Sequence, residues 1–304
     1  MSAAEHRSGF VALVGRPNSG KSTLTNALVG AKVAITSGRP QTTRHVVRGV
    51  VHRPDAQLVL VDTPGLHRPR TLLGQRLNDV VAGTLTEVDV VGFCLPADQR
   101  VGPGDRFIAE QLAAMSGRTP VVAVATKTDL AGRAQLMEHL LAIDRLGPWV
   151  DIVPVSAVRR DGIDVLTDVL VGHLPQGPAI YRDGELTDEP DTVMVAELVR
   201  EAALEGVRDE LPHSLAVVVD EIVPRERRGS DPTVLLDVRV DLFVERDSQK
   251  AIVIGRGGAR LREVGTRARE QIEELLGARG FLDLHVRVAK DWQQDPKQLG
   301  RLGF

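Results

Sequence analysis

The sequence predicts a doubly wound α/β domain with a mostly parallel sheet, followed by a smaller α+β domain. Three observations predict it. Short apolar runs alternate with stretches of helical period over residues 10–172, the order that builds parallel sheets covered on both faces. A break rich in Pro, Gly and acid spans 173–191, and beyond it the order changes to helix, two strands, two helices and a strand. The 304 residues suffice for two such cores. The organisation read from these signals is a first domain over 1–174, a linker over 175–191 and a second domain with a C-terminal tail over 192–304.

In the first domain, β-type apolar runs place strands at 10–14, 46–52, 57–62, 88–95, 120–126 and 151–154. Helical spacing places helices at 22–29, 74–83, 105–115 and 134–141. In the second domain, Val195, Leu198, Val199, Ala202 and Leu211 share a helix face over 191–210. Strands follow at 215–223 and 233–244, then helices at 248–254 and from about 259 to 276, and a strand at 282–289. There is no internal repeat and no low-complexity tract.

Composition narrows the function classes. Hydrophobic residues make up 42% and charged residues 26%, and no run approaches the ~18 apolar residues of a membrane span. The first nine residues lack the basic and apolar regions of a signal peptide, so the chain is expected to start near Met1. The single cysteine, Cys94, excludes an intramolecular disulfide and a Cys-based metal cluster, which fits a reducing cytoplasm, and its apolar run at 90–95 predicts a buried core residue. The net charge of −3 is unevenly spread, at +3 over residues 1–181 and −6 over 182–304. A nucleic-acid site in the second domain must therefore be a local patch.

Gly15-Arg16-Pro17-Asn18-Ser19-Gly20-Lys21-Ser22 matches the phosphate-binding loop pattern and stands directly after a strand and before a helix. The glycines let backbone N–H groups wrap phosphates at a helix N-terminus. Lys21 is expected on the β- and γ-phosphates and Ser22 on Mg²⁺. Asp62-Thr63-Pro64-Gly65 ends the third strand, placing Asp62 near Mg²⁺ through water and the Gly65 N–H at the γ-phosphate. In the polar segment Gln41-Thr42-Thr43-Arg44, the Thr43 hydroxyl completes the Mg²⁺ shell, so Ser22, Thr43 and Asp62 form the metal set and Lys21, Thr43 and Gly65 the catalytic set. These two loops become switches governed by the γ-phosphate.

The loop alone does not distinguish ATP from GTP. Thr126-Lys127-Thr128-Asp129 follows a buried strand and resembles the guanine-reading motif of small GTPases. A carboxylate at 129 accepts from guanine N1–H and N2–H₂, which adenine does not offer. Ser156-Ala157, after the last strand, fits a backbone contact to the base. Asn is usual where Thr126 stands, which predicts somewhat weaker affinity. Leu66 occupies the position of the water-orienting glutamine of Ras-like enzymes, so slow intrinsic hydrolysis is expected; a Leu66 that only packs agrees with this. With the Gly-Arg-Pro-Asn loop and the Thr-Thr-Arg segment, this resembles the bacterial translation-factor-related GTPases. That resemblance implies a K⁺ ion held with the help of Asn18 in the position of an arginine finger, against simple loop capping by that residue.

Gly255-Arg256-Gly257-Gly258 is a GxxG loop between two helices, and in this order of elements it resembles a type II KH domain, whose loop clamps the backbone of about four single-stranded nucleotides. Ile252 and Leu261 are expected beside the bases. From Lys250 to Arg269 there are six basic residues, among them Arg256, Arg260 and Arg262, against one acid. Lys250, Gly255, Arg256, Gly257, Gly258, Arg260 and Arg262 are the candidate RNA contacts, although a charge run also describes a solvated helix face. At 3% aromatic residues, with Trp149 and Trp292 isolated, aromatic stacking is not the expected mode.

Taken together, the nucleotide motifs, Gln41-Thr-Thr-Arg-His45, Leu73-Gly74, Asp209-Glu-Leu-Pro-His-Ser214, the GxxG segment and the tail from Asp291-Trp292 to Leu299-Gly-Arg-Leu-Gly303 are similar to the Era family of GTPases nearly end to end. The resemblance implies a P-loop GTPase domain followed by an α+β type II KH domain, Mg²⁺-dependent GTP hydrolysis, and binding of the 3′ end of small-subunit (16S) ribosomal RNA during 30S subunit assembly. It also implies a cytoplasmic monomer with no DNA partner and a loose peripheral contact with the inner face of the membrane. A signalling switch whose KH-like domain binds a protein or membrane partner is the alternative. A tRNA-modification GTPase fits less well, because such proteins end in a catalytic cysteine motif and Cys94 lies in the first domain.

Overall fold

The computed structural model describes residues 6–36, 42–69, 71–114, 119–205, 214–225 and 235–304. Gln41, Met115, Thr233 and residues 206–213, which the sequence reading used, lie outside them. The chain divides into two compact units near Asp188.

The first unit carries a six-stranded sheet of β1 (Arg7–Gly15), β2 (Val47–His52), β3 (Ala56–Asp62), β4 (Val90–Pro96), β5 (Val121–Thr126) and β6 (Asp151–Pro154), in the order β2-β3-β1-β4-β5-β6. Only β2 runs antiparallel. The helices are α1 (Lys21–Val29), α2 (Leu72–Glu87), α3 (Pro103–Ala114), α4 (Arg133–Asp144) and α5 (Ile163–His173). The strands alternate faces as a two-residue period requires. Val11 and Leu13 of β1 enter one apolar cluster with Leu24 and Leu28 of α1 and Leu166 and Leu170 of α5. Ala12 and Val14 enter another with Val81, Ile108, Leu112 and Ile143 of α2, α3 and α4. Because β3 lies on one side of β1 and β4 on the other, the C-terminal end of β1 is the switch point where an open α/β sheet binds its ligand.

The expected elements are present with shifted ends. β1 starts at Arg7, which pairs with Ala56, and α2 runs on through Gly83 to Glu87, where a side chain would meet only open space. The sequence reading did not single out α5, although its Ile163, Leu166, Leu170 and Val171 are buried at helical spacing.

Residues 175–188 do not hang free between the units; they strap the first one. The side chain of Gln57 on β3, 2% exposed, accepts from the backbone N–H of Ile180 and Tyr181 at 2.6 and 2.8 Å and donates to the Tyr181 carbonyl at 3.0 Å. On the outer edge of β2, the Val50 N–H donates to the Leu186 carbonyl, and Arg48 pairs with Asp188 at 3.0 Å.

The second unit builds a three-stranded sheet, order β7-β8-β9, from β7 (Ala216–Pro224), β8 (Leu235–Val244) and β9 (Arg279–Val288), with β7 antiparallel and β9 parallel to β8. Its helices are α6 (Asp191–Leu204), α7 (Asp247–Ile254) and α8 (Ala259–Leu276), and α9 (Pro296–Arg301) closes the chain. Val240, Leu242, Val264, Ala268 and Ile272 are buried between sheet and helices. Trp292 is fully buried, donates to the Ser214 carbonyl at 3.0 Å and stacks on Phe304, so it serves the core.

Gln57→Leu keeps the side-chain volume but leaves three backbone groups of the strap unpaired. It should destabilise the first unit by roughly 2–4 kcal/mol, and limited proteolysis should cut within 175–188 faster than in wild type. Unchanged cleavage would show that the strap is held by other contacts.

Candidate functional site

The loop from Gly15 to Gly20 joins β1 to α1 at the switch point. Gly20, at φ 92°, and Asn18, at φ 61°, are left-handed, and such a turn lets successive N–H groups converge on one anion. Lys21 opens α1 and folds back, with Nζ donating to the carbonyls of Arg16 at 3.1 Å and Gly15 at 3.3 Å. It is 6% exposed, and burial lowers its pKa while the charge of Asp62 opposes that fall.

Beside it, the Ser22 hydroxyl donates to Asp62 Oδ2 at 2.6 Å and lies 2.8 Å from the Thr43 hydroxyl, which donates to the same carboxylate oxygen at 3.2 Å. Asp62 is buried and its pKa is raised by that burial, against the pull of Lys21 and the two hydroxyls. Its Oδ1 is buried without a hydrogen-bond partner. Two hydroxyls and a carboxylate with an unspent oxygen form the hard oxygen donor set that Mg²⁺ takes, so these residues fit that ion. Among the described residues, no cluster of three His, Cys, Asp or Glu is placed to hold a metal.

The segment after β3 closes onto the loop. A Cβ on Gly65 would stand 2.6 Å from the Pro17 nitrogen, so only glycine permits this approach. Leu66 reaches the site through its backbone alone: its N–H donates to the Gly15 carbonyl at 3.1 Å, while its side chain is buried in the α2–α3 cluster. Thr63 likewise turns inward, donating to the Leu13 carbonyl at 2.7 Å, and Pro64 is buried.

At the end of β5, Thr126, Lys127 and Asp129 line a cleft of about 170 Å³ together with Gly20, Thr23 and Ala157. The Thr126 hydroxyl donates to the Ser19 carbonyl at 2.6 Å, so the residue that stands where Asn is usual ties this cleft to the loop after β1. Lys127 pairs with Asp98 at 3.4 Å. Ser156, fully buried, donates from Oγ to Asp129 Oδ1 at 2.7 Å. The expected role of Ser156 was a backbone contact; its side chain in addition orients the carboxylate. Cys94, beneath the loop, has its thiol pKa pushed up to about 12 by burial and is inert at neutral pH.

In the second unit the GxxG loop joins α7 to α8. Gly255, Gly257 and Gly258 have φ of 70°, 60° and 76°. A Cβ on Gly255 would meet Arg260 at 2.7 Å, whereas Gly257 and Gly258 face open space. Gly258 also begins a groove of about 340 Å³ between α8 and β9, lined by Leu261, Arg262, Arg269, Phe281 and Leu284. Leu261 is where it was expected; Ile252 is 52% exposed but does not line the groove.

The basic residues divide into two kinds. Arg256 and Arg262 are exposed, Lys250 is half-buried, and none of them makes an ion pair among the described residues. Arg260 departs from the expected phosphate role: its Nη2 donates to the carbonyls of Ala203 and Glu205, closing the end of α6, where backbone carbonyls lack helical partners. Arg267 is neutralised by Glu205 and Glu263. Phe281, half exposed under Arg225 at 4.8 Å, was not foreseen, since a lone aromatic carries no sequence signal of its own.

Comparison with known proteins agrees with this geometry. The model of the 50S ribosome-binding GTPase family matches residues 10–127, and that of the KH domain matches 210–293. The chain is 66% identical to GTPase Era of Mycobacterium sp. (strain KMS), covering 99% of this chain and all of the relative. It is also 66% identical to GTPase Era of Streptomyces coelicolor, covering 98% and 95%. Among solved structures, Era in complex with MgGDPNP and nucleotides 1506–1542 of 16S ribosomal RNA superposes with a TM-score of 0.92 at 36% identity, covering 98% of this chain and 99% of that one. An Aquifex aeolicus Era variant bound to GDP·AlF4⁻ does so with the same score at 35% identity and the same coverage. Because it aligns nearly end to end with these relatives at up to 66% identity and matches both family models, the protein belongs to the Era family of GTPases.

Proposed function

We propose that this GTPase uses its nucleotide state to govern binding of the 3′ region of 16S ribosomal RNA in the α8–β9 groove, and so assists assembly of the 30S subunit. The observation that carries the reading is the pair of open, unpaired cations Arg256 and Arg262 beside a glycine loop that faces open space. The relative solved with nucleotides 1506–1542 of 16S ribosomal RNA, 99% of whose chain is covered, supports it. The sugar-phosphate backbone would lie along Gly255–Gly258, where glycine lets it approach backbone N–H groups, and bases would enter the apolar groove over Leu261 and Leu284.

At the nucleotide, the turn from Gly15 to Gly20 cradles the phosphates, Lys21 sets its ammonium on them, and the Gly65 N–H senses the γ-phosphate. Ser22, Thr43 and Asp62 would hold Mg²⁺, which when bound neutralises charge on the β- and γ-phosphates. Asp129, oriented by Ser156, reads guanine. Leu66 supplies no polar group, so intrinsic hydrolysis is slow. Asn18, left-handed at φ 61° in the loop, carries a side-chain amide oxygen of the kind K⁺ takes, in the role of an added cation. The protein acts as a monomer in the cytoplasm. A peripheral contact with the inner face of the membrane belongs to the same reading; no helix among the described residues is long and apolar enough to cross a membrane.

If Asp129 reads N1–H and N2–H₂, Asp129→Asn should lose GTP and gain xanthosine triphosphate, whose ring presents an acceptor where guanine presents a donor. Competition binding decides this, and equal binding of ATP and GTP by wild type would overturn the assignment.

Leu66→Ala removes packing but no polar contact at the site. It should hold kcat within about threefold of wild type, whereas Lys21→Ala should lower it at least about a hundredfold. Turnover should be faster in K⁺ than in Na⁺, and equal rates would remove the potassium reading while leaving the rest intact.

Arg256→Asp combined with Gly257→Asp replaces attraction with repulsion where the RNA backbone must approach. Affinity for a single-stranded 16S 3′-end RNA at fixed salt should fall at least about tenfold, and wild-type affinity should weaken as salt rises. GTP affinity should stay near wild type because the nucleotide site lies in the other unit. Undiminished RNA binding would move the RNA site elsewhere and favour a protein partner for the groove.

A further inference from the structure

Arg16, the second residue of the phosphate loop, is held by a residue that no motif names. Its backbone carbonyl is part of the loop's own fastening, accepting from Lys21 Nζ at 3.1 Å and from the Ser19 N–H at 3.2 Å. Its side chain leaves the loop for the first turn of α3, where Nε donates to Asp105 Oδ1 at 2.6 Å. Asp105 is 1% exposed. Gly104 makes room for this contact: a Cβ there would stand 2.6 Å from Arg16 Cδ, so the arginine stem lies flat where only glycine fits. The second oxygen of Asp105 accepts from the Gly102 N–H at 2.8 Å, capping α3.

The carboxylate thus does two separable things. One oxygen closes a helix, which is structural. The other draws the arginine of the phosphate loop onto a rigid element, through a charge-assisted bond partly shielded from water. We propose that Asp105 is a positioning residue for GTP binding: acting through Arg16, it holds the phosphate loop in the shape that retains the nucleotide phosphates, and so sets the rate at which nucleotide leaves. The pair touches neither Ser22, Thr43 nor Asp62, so its loss should slacken retention of ground state and transition state alike, raising KM and leaving kcat almost unchanged. This rests on the loop being the phosphate site, which Lys21→Ala tests on its own: that variant should bind GDP far more weakly than wild type.

Asp105→Asn keeps an acceptor for the Gly102 N–H but sets an uncharged amide against Arg16. Arg16→Leu breaks the same contact and leaves the helix cap whole. Release of a ribose-labelled fluorescent GDP from the full-length protein should quicken about tenfold in each single variant, with KM for GTP rising by a similar factor and kcat within about twofold. The double variant should release nucleotide no more than about twofold faster than either single one, because both remove one contact. Arg16→Lys, which retains a cation opposite Asp105, should recover part of the slow release. Unchanged release in Arg16→Leu overturns the proposal, as does a double variant whose effects multiply or a fall in kcat at constant KM. If Asp105→Asn proves unstable, Arg16→Leu with Arg16→Lys decides the matter.

Discussion

A cation and an anion share the interior beneath the phosphate loop, and much of the first unit follows from having to keep both there. Lys21 and Asp62 are each shielded from water, and burial acts against the charged form of both while each charge favours the other. Alone in such surroundings, either would be driven to neutrality or left at a cost of several kcal/mol. Their residence therefore requires the strands that deliver them to be neighbours. β1 and β3 meet this requirement in parallel register, with Leu13 opposite Asp62 two residues before the loop begins. Two hydroxyls from different parts of the chain, Ser22 and Thr43, then meet one oxygen of the carboxylate, so α1 and the segment before β2 are fixed to the same point.

The legible part of this arrangement is the part whose chemistry is written in consecutive residues. The turn from Gly15 to Gly20 needs left-handed backbone and a following helix, and both leave local marks; Asp62 to Gly65 and Thr126 to Asp129 likewise end apolar strands. Ser22, Thr43 and Asp62, far apart in sequence, were legible because each stands in a motif; pairings that no motif names were not. Ser156 on Asp129, Thr126 on Ser19 and Asp105 on Arg16 span 27, 107 and 89 positions, and nothing in a polar side chain's neighbours announces a partner at that distance. α5 leaves a weaker mark for a different reason: its apolar spacing runs directly into the Pro-rich break that follows.

The second unit shows why a count of basic residues overstates an anionic partner's welcome. Of the cations between 250 and 269, Arg260 closes α6, Arg267 is matched by two acids and Arg269 lies 3.9 Å from Glu273. The open positive charge falls to Arg256 and Arg262, with Lys250 half-buried nearby. This leaves a narrow stripe beside the glycine loop in a domain that is otherwise acidic, which suits a single strand lying in one register better than a duplex lying anywhere. Phe281 at the groove adds a flat apolar surface, so the groove is less purely aliphatic than the sparse aromatic content implied.

The strap along β2 bears on how the protein can be dissected. A fragment ending at 174, where the helical pattern of the first domain stops, would strip the Leu186 carbonyl from Val50 and the backbone partners from Gln57. It would bare the rim of a six-stranded sheet, and an unpaired rim is a template for another chain's strand. Such a fragment would tend to self-associate even with its nucleotide site intact, and its stickiness could be mistaken for a biological interface. A cut after Asp188 keeps Leu186 on Val50 and Asp188 on Arg48, and so keeps the rim covered.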